Sequence, residues 1–188
     1  ETNGGCFPEE VAEITKAVHM AIPDALLGIH AHNDIGFGVA NSHAGLDNGC
    51  IQVQGVLNGF GERTGNANLS NIIANLSIKK KINVISADQL KLLTHTCRQI
   101  AEHANVHLDN GMPYVGKNAF AHKGGMHIDG VLKNSASFEH CSPDLVGNER
   151  NILISEVSGR GAIMELLNKY DPSLDKDSDK AKQLIEKI

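Results

Sequence analysis

The feature that most constrains this sequence is an alternation, over its first 80 residues, of amphipathic helical stretches with short apolar β-rich runs. Val11, Ile14, Val18 and Ile22 repeat at helical spacing behind Pro8, Glu9 and Glu10, residues suited to a first helical turn. Pro23-Asp24 ends that helix. Leu26 to His30 then reads as a short strand of the kind buried on both faces of a parallel sheet. A second helix runs through Val39, Ala40, Ala44 and Leu46 and stops at Asn48-Gly49. Cys50 to Val56 is β-rich, a Gly/Asn loop follows to Asn66, and Leu69, Ile72, Ile73 and Leu76 mark a third helix. Parallel strands need a crossover between them, so strand and helix in turn predict a parallel α/β fold.

The Lys79-Lys80-Lys81 run breaks this rhythm and reads as a solvated connector and a boundary. Beyond it, Ser86-x-x-Gln89 forms a capping box before a helix marked by Leu90, Leu93, Cys97, Ile100 and Ala104. Residues 105 to 160 lose the alternation and are rich in Gly, His and Asn. Two further helical pieces are expected over Ile163–Lys169 and Asp177–Ile188, on either side of Asp171-Pro172.

Composition narrows the function classes. With 17 Lys+Arg against 22 Asp+Glu and a net charge of −5, nucleic acid is not an expected partner. No apolar run approaches the roughly 18 residues of a membrane span, and the chain reads as soluble and cytoplasmic. The four cysteines form no C-x-x-C pair and are expected to be reduced and mostly buried. The chain opens on a Gly-rich turn without an initiator Met, which reads as a piece of something longer.

Ten histidines direct attention to His30-Ala31-His32, at the C-terminal end of a predicted strand. Side chains at i and i+2 share one face about 6 to 7 Å apart. Two imidazoles at one spot suit either a divalent metal or a hydrogen-bonded structural pair. The ends of parallel strands are where such folds place their sites. The loop from Asn58 to Asn68 offers amides and carbonyls for a metal shell or an anion, or is simply a tight connection; Glu62-Arg63 within it reads as a local ion pair. In Ala121-His122-Lys123-Gly124-Gly125-Met126-His127, two histidines flank a Gly-Gly pair, as an acid/base element or as a surface loop.

Taken together, Glu1 to Gly5, Gly28 to Asp34, Asn58 to Leu69, Pro113 to Gly130, Val146 to Arg150 and Ser155 to Gly159 resemble one family. It is the pyruvate-carboxyltransferase-like family of metal-dependent TIM barrels: the isopropylmalate, homocitrate and citramalate synthases, with HMG-CoA lyases as more distant relatives. Gln52-Val53-Gln54-Gly55, Asn-Gly-Phe-Gly-Glu-Arg and Ala-Phe-Ala-His-Lys-Gly-Gly-Met-His look most like the citramalate synthases, which condense acetyl-CoA with pyruvate. The resemblance implies the C-terminal part of a (β/α)8 barrel over residues 1–80. A helical linker subdomain over 81–134 and a second over 135–188, leading towards a regulatory domain, would follow.

The resemblance further implies that His30 and His32 are ligands of a divalent metal (Mg, Mn or Zn) on the seventh barrel strand, with Asn66 at or beside the metal. Thr2, at the end of the sixth strand, matches the threonine that binds the carboxylate of the 2-oxo acid. His127 matches a linker histidine that serves in acid/base chemistry across a homodimer, in the barrel mouth of the partner subunit. The family's first-strand Asp, its neighbouring Arg and its glutamate fall in barrel strands that precede these residues, so this segment would hold half a site. The rival readings are an isopropylmalate or homocitrate synthase, an HMG-CoA-lyase-like retro-Claisen enzyme, and a non-catalytic dimerisation or binding module.

Overall fold

The computed structural model describes residues 2–153 and, beyond them, Met164, Leu167, Tyr170, Asp171, Ser173 and Leu174. The helical expectations for Ile163–Lys169 and Asp177–Ile188, and the family-like run Ser155 to Gly159, lie in whole or large part outside the described residues.

The first half is one parallel crossover unit preceded by a helix. Helix α1 spans Pro8–Ala21, with the Phe7 amide donating to Glu10 Oε2 at 2.7 Å to satisfy one orphan donor of its first turn. Strand β1 (Leu27–His30) runs parallel to β2 (Cys50–Gln54), and α2 (Gly38–Asp47) connects them. Gly45 allows α2 to lie close on β1, because a Cβ there would sit 2.8 Å from Ile29 Cδ1. Helix α3 (Leu69–Ala74) follows the loop, and its last turn widens into a π-helical turn over Asn75–Lys79 that no sequence pattern anticipated.

Helix α1 forms at the expected spacing, and on its apolar face only Val11 is buried, while Ile14, Val18 and the C-cap Ile22 stand exposed. One expectation is corrected. Strand β1 is not buried on both faces: Ile29 is buried, Gly28 and His30 are exposed, and Leu26 lies just outside the strand in solvent. A two-stranded sheet with α1 and α2 against it covers only one side of these elements. Before Leu27 the described residues contain no strand, and Thr2 sits in a turn.

The second half is mainly helical. Ser86 and Gln89 make the predicted reciprocal cap, Gln89 N to Ser86 Oγ at 3.2 Å and Ser86 N to Gln89 Oε1 at 2.9 Å. The helix they open is broken in two, α4 (Ala87–Leu90) and α5 (Leu93–His103). After them come β3 (Ala121–His122), α6 (Gly125–Lys133) and β4 (Asn151–Ile152), with β3 and β4 paired in parallel. The cysteines are free as expected, Cys50 and Cys97 buried, Cys6 and Cys141 half-buried. No helix among the described residues is long and apolar enough to cross a membrane.

Packing runs across the Lys79–Lys81 connector. Ala74 and Ile78 share one core with Leu90, Leu93, Cys97, Tyr114, Phe120 and Val146. The lysines are not merely solvated: Lys79 donates to the His140 carbonyl and Lys80 pairs with Asp47. Buried polar side chains stitch the same seam, with Asn58 Nδ2 on the Cys97 carbonyl at 2.8 Å and Tyr114 Oη on Asn75 Oδ1 at 2.7 Å. Asn148 does the same within the helical part, its Nδ2 donating to the carbonyls of Tyr114 (2.8 Å) and Gly116 (3.0 Å). Preceding it, Gly147 at φ +65° touches the α4–α5 junction, where a Cβ would meet the Lys91 carbonyl at 1.9 Å. Asn148→Ala therefore strands two buried acceptors and is expected to lower stability by about 2–3 kcal/mol. Urea unfolding checks this, and a loss within experimental error of zero would show that both carbonyls find other donors.

Candidate functional site

The two histidines are set by period-two alternation. His30 is the last residue of β1, Ala31 points into the core with no exposed surface, and His32 returns to the outer side. Their ring centroids lie 5.0 Å apart with the planes at 77°, edge to face. Alternation repeats in Asn66-Ala67-Asn68, where Ala67 is the fully buried member. The two short runs lie against each other: Ala67 N donates to the Ala31 carbonyl at 2.9 Å, Asn33 N donates to the Gly65 carbonyl at 3.0 Å, and His32 and Asn66 form an antiparallel bridge. Glycines permit this approach, since a Cβ at Gly65 (φ +104°) would meet the Gly59 carbonyl at 2.1 Å.

This pairing sets His32 between two neighbours at the strand end, the His30 ring on one side and its bridge partner Asn66 on the other. The Asn66 amide nitrogen donates to the Phe60 carbonyl at 2.8 Å, which orients the side chain and leaves its Oδ1 as the atom available to a cation. Among the described residues no three or more His, Cys, Asp or Glu side chains gather to hold a metal. Two imidazoles and one amide oxygen nonetheless fit a divalent metal of mixed nitrogen and oxygen preference with open positions.

Thr2 reaches the same strand end through Arg63. Arg63 Nε donates to Asp34 Oδ1 at 2.8 Å, and its Nη2 donates to Asp34 Oδ2 at 3.1 Å and to the Thr2 carbonyl at 3.0 Å. Arg63 thus reaches well beyond its neighbour Glu62 and ties together the loop before α1, the loop after β1 and the loop after β2. Asp34 also lies on Gly4, where a Cβ would be 2.1 Å from its Oδ2. The Arg63 guanidinium beside Asp34 holds that carboxyl below its ordinary range. Arg63 adopts φ +56°, a conformation costly for a non-glycine residue, which this set of contacts sustains. The sequence reading of Arg63 as the local ion-pair partner of Glu62 is corrected: Arg63 pairs with Asp34, 29 positions away, which no sequence spacing marks.

His127 lies apart from this group. It is an exposed residue in the first turn of α6, and its ring stacks on Phe138 at 4.5 Å and 30°. No hydrogen bond, ion pair or ring contact recorded among the described residues joins it to Thr2, His30, His32 or Asn66. His122, five residues earlier, is buried instead against Glu139. A cleft of about 350 Å³ opens beside Asn66, lined by Asn33, Thr64, Asn68, Asp109 and Met112. A larger one, about 510 Å³, lies against Arg98, His107, Lys117 and Asn148, and none of the predicted site residues lines it.

The family model described as HMGL-like matches residues 1–109, and one described as homocitrate synthase post-HMGL domain-like matches residues 114–188. The chain is similar to the (R)-citramalate synthase of Aquifex aeolicus, 48% identical over 100% of this chain and 36% of that protein. It is 37% identical to the 2-isopropylmalate synthase of Heliobacterium modesticaldum over 93% of this chain and 35% of that one. To the homocitrate synthase of Methanocaldococcus jannaschii it is 32% identical, over 100% and 45%. The chain spans about a third of the length of the curated citramalate synthases it matches. A solved HMG-CoA lyase of Bacillus subtilis superposes with a TM-score of 0.48 at 23% identity, over 57% of this chain and 37% of that one.

Arg63→Met unties three loops at once. Its loss is expected to raise local opening, read as faster protease cleavage between residues 58 and 66. An unchanged cleavage rate would mean that other contacts hold the loop.

Proposed function

The chain belongs to the HMGL-like family, so that its first segment is the C-terminal part of a (β/α)8 barrel followed by a mainly helical region, and on that premise we propose that it carries the metal-binding side of an acetyl-CoA-dependent condensing site. The reaction is a Claisen-type condensation of acetyl-CoA with a 2-oxo acid. Pyruvate is the acceptor, giving citramalate for branched-chain amino-acid synthesis. The observation that carries this reading is the convergence of His30, His32 and Asn66 at a strand end, with Thr2 tied into the same mouth through Arg63. The identity to citramalate synthases, higher than to the isopropylmalate and homocitrate synthases above, supports pyruvate as the acceptor.

In this reading His30, His32 and Asn66 would hold a divalent metal, Mg, Mn or Zn. When bound, that ion acts as a Lewis acid on the 2-oxo carbonyl. The Thr2 hydroxyl donates a hydrogen bond to the carboxylate of the 2-oxo acid, and Arg63 fixes the Thr2 backbone from which that hydroxyl projects. Asp34 keeps Arg63 in place and, being held ionised, cancels its charge at the mouth. His127 moves a proton as the acetyl methyl loses one and the new carbon–carbon bond forms. Water then cleaves the thioester, releasing CoA and making the condensation irreversible. The separation of His127 from the barrel residues supports a homodimer in which each α6 serves the mouth of the partner subunit.

Three experiments on the enzyme with its complete barrel test this. Free CoA release from acetyl-CoA is expected to be strongest with pyruvate, weaker with 2-oxoisovalerate or 2-oxoglutarate, and abolished by chelator. His30→Ala and His32→Ala are each expected to lose stoichiometric metal together with activity. Release only with another acceptor would change the product and keep the chemistry. No release with any acceptor, in a protein that retains its metal, would favour lyase chemistry or a binding module. Mixing inactive His127→Ala with inactive His30→Ala subunits is expected to restore activity by pairing an intact mouth with an intact helix. No recovery despite demonstrated subunit exchange would place His127 in its own subunit's site.

A further inference from the structure

Resting on that reading of His127, we propose that Glu139 is a positioning residue that sets the His127 imidazole through the ring of Phe138. Glu139 has an enclosed side chain, only 3% exposed, in a part of the molecule otherwise rich in solvent-facing loops. Both its oxygens are taken: Oε1 accepts from His122 Nε2 at 3.1 Å and from Arg150 Nε at 2.6 Å, and Oε2 accepts from Arg150 Nη2 at 2.6 Å. Arg150 and then His122 hold this carboxyl below the ordinary carboxylate range. A fork-on-carboxylate pair fixes orientation as well as distance. Buried ion pairs add little net stability over apolar packing, and their best-attested use is to fix one register among several.

The positions of the three partners give that register a function. His122 belongs to β3, Arg150 immediately precedes β4, and the strands are joined by Asn151 N to the Phe120 carbonyl (3.0 Å) and Leu153 N to the His122 carbonyl (2.9 Å). The carboxylate therefore closes the base of the segment from 122 to 139, which carries α6 and His127. Glu139 N also donates to the Ser135 carbonyl at 2.9 Å, fixing the turn that follows α6. Phe138 is its immediate neighbour, and with Glu139 held inward the Phe138 ring is laid across α6. There its centroid is 4.5 Å from the His127 ring at 30°. Gly130 leaves the space this needs: a Cβ at 130 would lie 2.3 Å from Phe138 Cε2. Carboxylate, backbone, Phe138 ring and imidazole thus form a continuous chain of contacts that ends on His127.

The test uses the enzyme with its complete barrel and histidines labelled with ¹³C at Cε1. Phe138→Leu, which removes the ring current, identifies the His127 resonance and its unstacked position. Glu139→Gln is expected to move that resonance towards the unstacked position and to lower kcat about tenfold or more, with metal content and the KM for the 2-oxo acid unchanged. Arg150→Lys, which keeps the charge but not the fork, is expected to show a smaller movement of the resonance and a smaller loss of kcat. It carries the same readout if Glu139→Gln does not fold. A His127 resonance that stays in place in these variants overturns the proposal. So does a moved resonance with unchanged kcat when His127→Ala is inactive. A moved resonance with unchanged kcat in both Glu139→Gln and His127→Ala supports the positioning and refutes the acid/base reading of His127.

Discussion

Two backbone hydrogen bonds, Ala67 N to the Ala31 carbonyl and Asn33 N to the Gly65 carbonyl, are what the candidate centre depends on. They extend β1 past its last regular residue and lay it beside a loop that is otherwise irregular. Because side chains alternate along both runs, the same pairing that hides Ala31 and Ala67 must present His32 and Asn66 together on the other side. The small size of the buried pair is part of this arrangement. A Cβ at Gly38 would already lie 3.3 Å from Ala67 Cα, so α2 packs directly on the seam and larger side chains there would force strand and loop apart.

A second constraint sits above the first. Arg63 holds three loops whose ends would otherwise move independently, and it does so from a left-handed backbone conformation with a guanidinium that is partly open to water. An exposed ion pair of this kind contributes little to global stability. Its consequence is local, in that the Thr2 carbonyl, the Asp34 carboxylate and the loop that carries Asn66 keep fixed relative positions. Below these loops, Asn58 on the Cys97 carbonyl and Ser70 beside the Cys97 thiol, at 3.2 Å, bind the same loop to α5. The loop is therefore gripped at its tip by a charge and at its root by buried polar contacts.

Periodicity revealed what is local. The H-x-H pair on a strand end, the Ser86–Gln89 cap and the helix–strand order are each written within a few consecutive residues, and each stands in the structure. Contacts made across loops were not legible in this way. Asp34 with Arg63 and His122 with Glu139 and Arg150 are separated by 11 to 29 positions, with no spacing that marks them as partners. The apolar stripe of α1 is helical as its spacing states, yet only Val11 on it is buried. A helical period states which residues share a face, whereas burial depends on what the rest of the fold sets against that face. The π-helical turn at Asn75–Lys79 follows the same logic: it accompanies Tyr114 Oη on Asn75 Oδ1 and Lys79 on the His140 carbonyl, both partners supplied from far along the chain.

The proposed division of the chemistry between two kinds of support has a physical reason. Groups that hold an ion need invariant mutual distances, and a strand end paired to a glycine-rich loop supplies them, because its geometry is fixed by backbone hydrogen bonds. In the proposed reading, a group that moves a proton must meet a substrate that enters and leaves, and His127, exposed on α6 away from the strand end, would meet that need. Such a helix is useful only if its own side chain is held to one orientation while the helix as a whole approaches the mouth. A buried carboxylate at the base of the helix and an aromatic ring against the imidazole meet that requirement with contacts internal to the subdomain.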